Sequence, residues 1–181
     1  MRMIMLATSV AALALAGCET EVDTAQTDEA VEAAGDSTIG DGLSDDKKFA
    51  EAVEAAGLND VLSGPGQNTV LVPDDAAFEK LPAGAWDSLT SEEGKSDLTA
   101  ILSYHILPGT MLAEDIAKAI EAGNGSADIM TMGGETLTAT MDGEDIVLTD
   151  SSDGLARVTS ADDKRSNGVI HRIDTVLMPK K

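Results

Sequence analysis

Residues 69–78 carry the sequence TVLVPDDAAF, in which a strand gives way to a helix within a few residues. The first four residues favour a buried strand because β-branched side chains pack well on a pleated surface, and the proline ends it. An aspartate after the proline is placed to accept hydrogen bonds from the first turn of a helix. We therefore interpret four residues of this stretch as structural, needing no ligand: Thr69, Pro73, Asp74 and Phe78.

A second decisive stretch, residues 167–179, has the sequence NGVIHRIDTVLMP. Asn167 and Gly168 are residue types that accept the positive φ angles of a turn before a strand. His171 and Asp174 are three residues apart and fall on opposite faces of a regular strand. They are therefore not expected to form a dyad, and we interpret all four as structural.

The rest of the chain places helices mostly first and strands mostly second. Helical spacing of apolar residues is found at 49–56, 98–104 and 111–122, and Thr90 with Glu93 has the spacing of a capping box. Strand-like runs separated by tight-turn residues follow from 129 to 177. This order predicts an α+β domain with an antiparallel sheet rather than repeated βαβ units.

Three stretches together resemble the fasciclin domain: residues 69–78, residues 104–109 with the sequence YHILPG, and residues 167–179. The resemblance covers about residues 43–179. It implies a fasciclin-like β-sandwich or wedge of antiparallel strands flanked by several α-helices, which we assign to residues 43–181. It also implies an extracellular adhesion or interaction module, with some eukaryotic members recognised by integrins, and it implies no reaction.

The Tyr-His pair with flanking aliphatic residues is associated with adhesive activity in this family. The resemblance makes four residues candidates for binding here: Leu102, Tyr104, His105 and Leu107. A histidine among aliphatic neighbours is also commonly a buried group bonded to backbone, and this structural interpretation is favoured. A second recognition segment of the family falls on residues 160–164, where Asp162 matches the acidic position but Asp163 and Lys164 replace an apolar pair.

The first residues are typical of an export signal. Arg2 precedes a short apolar run, and Leu15-Ala16-Gly17-Cys18 resembles a bacterial lipoprotein signal, in which cleavage before the cysteine is coupled to its acylation. An ordinary secretory peptide is the alternative. The resemblance predicts a signal peptide at 1–17 and a lipidated Cys18, and Glu19 after the cysteine favours an outer membrane. Residues 18–42, acidic and poor in large apolar side chains, are predicted to form a disordered tether.

The chain has 33 acidic and 12 basic residues and a formal net charge of −21, which argues against nucleic-acid binding. The sequence contains none of the GxSxG, HExxH, P-loop or GxGxxG patterns, so no catalytic residue and no cofactor is predicted. No metal site is predicted, because the acidic turns at 142–145 and 150–153 do not follow a calcium-loop order. Met130, Met132 and Met141 are expected to fill gaps in a core poor in aromatic residues.

These features predict a non-enzymatic adhesion or interaction module, tethered to the cell envelope through acylated Cys18. Its expected partner is a protein or polysaccharide at a cell surface or in the envelope, and its expected location is an outer membrane, facing periplasm or cell surface. The alternatives are a hydrolase that uses His105 and a carrier of calcium or a small ligand. Basic residues concentrate toward the end of the chain and either dock on an anionic surface or balance nearby acids: Arg157, Lys164, Arg165, Arg172, Lys180 and Lys181.

Overall fold

The structure is a computed structural model that describes residues 36–180. A 3-10 helix at Gly40–Asp45 is followed by helices α1 (Lys47–Ala56) and α2 (Asn59–Ser63), strand β1 (Asn68–Pro73), and helices α3 (Asp75–Glu79), α4 (Ala85–Thr90) and α5 (Lys95–Tyr104). Strand β2 (Ile106–Pro108) and helix α6 (Ala113–Ala122) come next. Strands β3 (Ser126–Met130), β4 (Thr136–Asp142), β5 (Asp145–Thr149), β6 (Leu155–Arg165) and β7 (Gly168–Ile173) complete the domain.

All seven strands form one sheet in the order β2-β1-β7-β6-β5-β4-β3. The sheet curves until its two edges meet, where the Met132 N–H donates to the Ile106 carbonyl at 2.8 Å. The α+β class and the wedge flanked by helices are confirmed. The sheet is mixed rather than wholly antiparallel, because β1 and β7 run parallel from Asn68 opposite Gly168 to Pro73 opposite Ile173. Their direction depends on how segments about a hundred residues apart meet, which local sequence does not determine.

The apolar residues form two cores on opposite faces of β1 and β7. One lies between the sheet and the helices and includes Phe49, Val70 and Ile170. The other fills the inside of the curved sheet, where Leu71 and Ile173 meet Ile116 and Ile120 of α6, among others. Both central strands are therefore buried on both faces, as is usual for parallel strands.

Local sequence explains most helix ends. Asp74 accepts a hydrogen bond from the Ala77 N–H at 2.7 Å and so caps α3. The capping box expected at Thr90 and Glu93 is wrong. Residues 85–90 form α4, the Thr90 hydroxyl donates to the Trp86 carbonyl, and α5 begins only at Lys95.

Residues 37–46 are attached to the turn between β6 and β7. The Ser166 N–H donates to the Ser37 carbonyl at 2.9 Å, and the Arg172 guanidinium donates to the Asp46 carboxylate at 3.1 Å. Ile39 and Leu43 are buried in the first core. Residues 37–42, which the sequence assigns to the tether, therefore contact the folded domain, and the boundary at 42/43 stays a prediction. Residues 1–35, with the predicted signal peptide, Cys18 and most of the tether, lie outside the described residues.

Asn167 connects three segments at this turn. Its side-chain oxygen accepts from the Ile39 N–H at 2.7 Å, and its amide nitrogen donates to the carbonyls of Leu62 and Gly64, each at 2.8 Å. The next residue, Gly168, has φ 145°, and a Cβ there would collide with the Asn68 carbonyl oxygen. The turn thus requires an amide followed by glycine.

We expect Asn167→Asp to lower the free energy of unfolding by about 3 kcal/mol or more at neutral pH, because a carboxylate would face two carbonyl oxygens in a buried site. Urea unfolding followed by the fluorescence of Trp86, the single tryptophan, measures the change. Asn124→Asp is the matched control, since it alters an exposed Asn-Gly step in the same way. Equal stability of the two variants would contradict this role for Asn167.

Candidate functional site

His105 lies inside the domain, with 1% of its surface exposed. Its Nδ1 atom is 2.8 Å from the Ile101 carbonyl oxygen, and the Leu177 N–H donates to Nε2 at 3.2 Å. The proton must therefore be on Nδ1, and the neutral imidazole joins α5 to the C-terminal segment. Both ring nitrogens are occupied by backbone groups, so His105 is not positioned to act as a general base on a substrate.

Burial lowers the pKa of His105 to about 4, although the hydrogen bond to Ile101 and the charge of Asp150 act in the opposite direction. A second proton on the ring would also point at the Leu177 N–H, which leaves two donors facing each other. The histidine is therefore neutral in the folded protein at physiological pH.

The other residues of the predicted Tyr-His site are buried as well: Leu102, Tyr104 and Leu107. The Tyr104 hydroxyl donates to the Thr136 carbonyl at 3.1 Å and accepts from the Ser151 N–H at 3.1 Å. It therefore ties α5 to the start of β4 and to the loop after β5. All three side chains are at most 2% exposed, and the one polar group among them bonds to backbone.

Asp162 and His171 form a second internal connection. Asp162 adopts φ 60° in the irregular part of β6, and its carboxylate accepts from the Ala113 N–H at 2.8 Å. Its own N–H donates to His171 Nδ1 at 3.2 Å, and His171 Nε2 is 2.8 Å from the Met111 carbonyl oxygen. Asp162 thus helps to start α6, and His171, which is 1% exposed, carries its proton on Nε2.

Thr69 and Asp174, which the sequence also predicts to be structural, bond to backbone, whereas Phe78 packs in the core. The Thr69 hydroxyl donates to the Gly109 carbonyl and accepts from the Met111 N–H, both at 2.8 Å. Asp174 accepts from the Arg157 N–H at 2.9 Å, so it does not pair with His171. Phe78 lies in the first core with its ring edge-on to Trp86.

The acidic turns considered for calcium have other partners. Arg157 binds the carboxylates of Asp142 at 2.6 Å and Asp145 at 2.7 Å. Asp150 accepts from the backbone N–H groups of Ser152, Gly154 and Met178. Within residues 36–180, no three His, Cys, Asp or Glu side chains are grouped so that they could hold a metal ion.

The basic residues near the end of the chain are partly neutralised. Asp163 binds both Arg165 at 2.8 Å and Arg172 at 3.2 Å, and Arg157 is held by the two aspartates named above. Partial burial raises the pKa of the Asp163 carboxyl, but the hydrogen bonds and charges of the two arginines together outweigh it and hold the pKa below its usual value. The structure therefore favours internal charge balance over a basic docking surface for these three arginines.

A groove that the sequence analysis missed runs beside α5. It has a volume of about 690 Å³, and Leu89 of α4, the Met132–Gly133 turn and the Met178–Lys180 segment line it together with α5. Met132 is 50% exposed there, and Met130 and Met141 are also exposed, so the expectation that these methionines fill the core is wrong. Met130 and Met141 lie in β3 and β4, where the curvature of the sheet decides which face meets solvent, and Met132 lies in the turn after β3.

No helix among residues 36–180 has the length and apolar character needed to cross a membrane.

Comparisons with known proteins point in one direction. A sequence model described as the fasciclin domain matches residues 44–179. Protein sll1483 of Synechocystis sp. is 38% identical over 128 residues, which cover 71% of this chain and 64% of that protein. Transforming growth factor-beta-induced protein ig-h3 of Sus scrofa is 37% identical over 128 residues, or 71% of this chain and 17% of that protein.

A solved structure gives the same result for the fold. The chain matches a FAS1 domain pair from the insect cell adhesion molecule fasciclin I with a TM-score of 0.54 and 25% identity. The match covers 72% of this chain and 44% of that one. In each of these three comparisons the chain spans less than two thirds of the other protein's length.

The buried neutral His105 predicts a pH dependence of stability. Its pKa falls from 6.5 in the unfolded chain to about 4 in the folded protein, so the unfolded state binds more protons between these values. Stability is thus fully present above pH 6.5 and declines as the pH falls toward 4, by about 3 kcal/mol for this group.

We expect His105→Gln to be less stable than the parent at pH 7 and to lose much less stability between pH 6.5 and pH 4. Urea unfolding at several pH values, followed by Trp86 fluorescence, measures both. An unchanged slope in the variant would show that another group causes the dependence.

Proposed function

We propose that this chain, which belongs to the fasciclin domain family, is a non-enzymatic adhesion or surface-interaction module. We propose further that a lipid anchor holds it on the cell envelope. The observation that carries the proposal is the match of three quarters of the chain to the fasciclin domain, residues 44–179. A structural relative, fasciclin I, is an insect cell adhesion molecule. Its partner would be a protein or a polysaccharide at a surface.

The chemistry of the described residues favours binding over catalysis. The hydrolase alternative requires His105 exposed in a cleft beside a nucleophile, whereas His105 is enclosed and bonded to backbone through both nitrogens. His171 is bonded to Asp162 and Met111 in the same manner. The polar side chains of residues 69–78, 104–109 and 167–179 thus stabilise the domain. A partner would therefore contact exposed grooves and loops instead.

The anchor is inferred from the sequence. Leu15-Ala16-Gly17-Cys18 carries the lipoprotein resemblance, and several acyl chains would hold the protein firmly at a membrane. The acidic residues between Cys18 and Ser37 would be repelled by anionic lipid and hold the domain away from the membrane. We propose an outer-membrane position, facing the periplasm or the cell surface.

We expect Cys18→Ser to abolish the incorporation of labelled palmitate into the protein, because the serine hydroxyl does not accept the thioether-linked lipid. Since cleavage is coupled to acylation, the variant should also keep residues 1–17 and run as a larger band. Labelling of cells that express the full chain, followed by immunoprecipitation and gel electrophoresis, measures both effects. Thr20→Ser is the matched control, since it leaves the cysteine in place. If the parent took up no label, or if Cys18→Ser took up as much as the parent, the lipid anchor would be refuted.

We expect cells that lack the protein to attach less to an abiotic or host surface, and the full chain to restore attachment. The number of cells retained under flow measures the effect. His105→Gln, which changes no exposed residue, should restore attachment at neutral pH to the extent that it folds. Attachment that does not depend on the protein would contradict the adhesion proposal.

A further inference from the structure

The groove beside α5 is built between elements that are fixed to one another. The Gly133 N–H donates to the Ser103 carbonyl at 3.0 Å, which holds the turn after β3 against the last part of α5. On the other side, the Met178 N–H donates to Asp150 at 2.9 Å and the Lys180 N–H donates to Glu135 at 3.2 Å. A groove with walls held in this way needs little ordering when it binds.

Apolar side chains supply most of the surface of the groove, and polar ones supply the rest. Leu89, Ala100, Met132 and Met178 contribute side chains to it. Methionine side chains adapt to varied apolar shapes, and surfaces rich in them bind segments of differing sequence. The Met132 N–H is bonded to the Ile106 carbonyl, which fixes the backbone at this residue. Its side chain is nevertheless half exposed to solvent.

Two carboxylates, those of Asp97 and Glu135, also line the groove. Asp97 lies in the first turn of α5. The Glu135 carboxylate accepts a hydrogen bond from the Ser151 hydroxyl. Ser151 in turn contacts the hydroxyl of Tyr104, the last residue of α5. Among the residues that line the groove, Lys180 is the one basic side chain. The domain around it carries 23 acidic and 11 basic residues from position 47 onward, so the surroundings are also negative.

We propose that this groove binds an extended segment of a partner protein in which a large apolar side chain lies next to a lysine or arginine. The apolar side chain packs between Met132 and Met178, and the basic group faces Asp97. Helix α5 has ten residues and is about 15 Å long, which about four extended residues can span. A second copy of this acidic chain would bring like charges together, so charge complementarity favours a basic partner.

This inference rests on the proposed function and names the kind of partner. The test is selection of binding peptides from a random decapeptide display library, with the full chain as bait. We expect enriched peptides to contain a lysine or arginine beside a large apolar residue. Met132→Glu should weaken a selected peptide about tenfold or more, because it places a charge in the apolar groove.

Two further variants sharpen the test. Met130→Glu is the matched control, since Met130 is 63% exposed and does not line the groove, and it should change the affinity less than about twofold. Asp97→Asn should weaken binding about threefold at low salt and less at high salt. Trp86 fluorescence during urea unfolding checks that each variant folds.

Failure of the selection to enrich any peptide, enriched peptides without basic residues, or equal binding to Met132→Glu would each overturn the inference. Self-association of the full chain that Met132→Glu abolishes would assign the groove to a second copy and overturn it too. The attachment assay separates the two proposals. If Met132→Glu restores attachment as well as the parent does, adhesion stands and the groove is not its site.

Discussion

The parallel pairing of β1 with β7 is the constraint on which the rest of the domain depends. The two strands are apolar on both faces, so neither can face water, and one core must be built on each side of them. Helices α1, α2 and α5 supply one core, and the curved sheet with α6 supplies the other. Strand β1 comes before most of the helices and β7 ends the fold, so the pair also joins distant parts of the chain.

Packing loops and helix ends around these strands removes backbone groups of the surrounding segments from water, and polar side chains satisfy them. Asn167 serves three such groups, and Thr69, His105 and His171 serve two each. The two histidines do so as opposite tautomers of the neutral ring. In this domain the histidines of residues 104–109 and 167–179 therefore bond to backbone and have almost no contact with solvent.

The sequence predicts interactions that close within a few residues. Asp74 caps α3 because its partner is three residues away, and Gly57 ends α1 with φ 75° where the helical spacing stops. Partners separated by long stretches of chain are not encoded locally. Leu177 is 72 residues from His105, and Ile39 is 128 residues from Asn167. Ile39 is predicted to lie in a tether because its partner Asn167 is distant in sequence. Strand β2 and the groove beside α5 are likewise not predicted, because each depends on segments that are far apart in the chain.

The attachment of residues 37–46 to the β6–β7 turn has a mechanical consequence. A chain held at its N-terminus and pulled at its surface would transmit tension into the domain through Ser37. That tension meets Ser166, Asn167 and Arg172 before it reaches the first α-helix at Lys47. Since these three residues flank or belong to β7, the force is delivered to the centre of the sheet, where a strand is bonded on both sides. The helices, which are held mainly by side-chain packing, would be spared the first load.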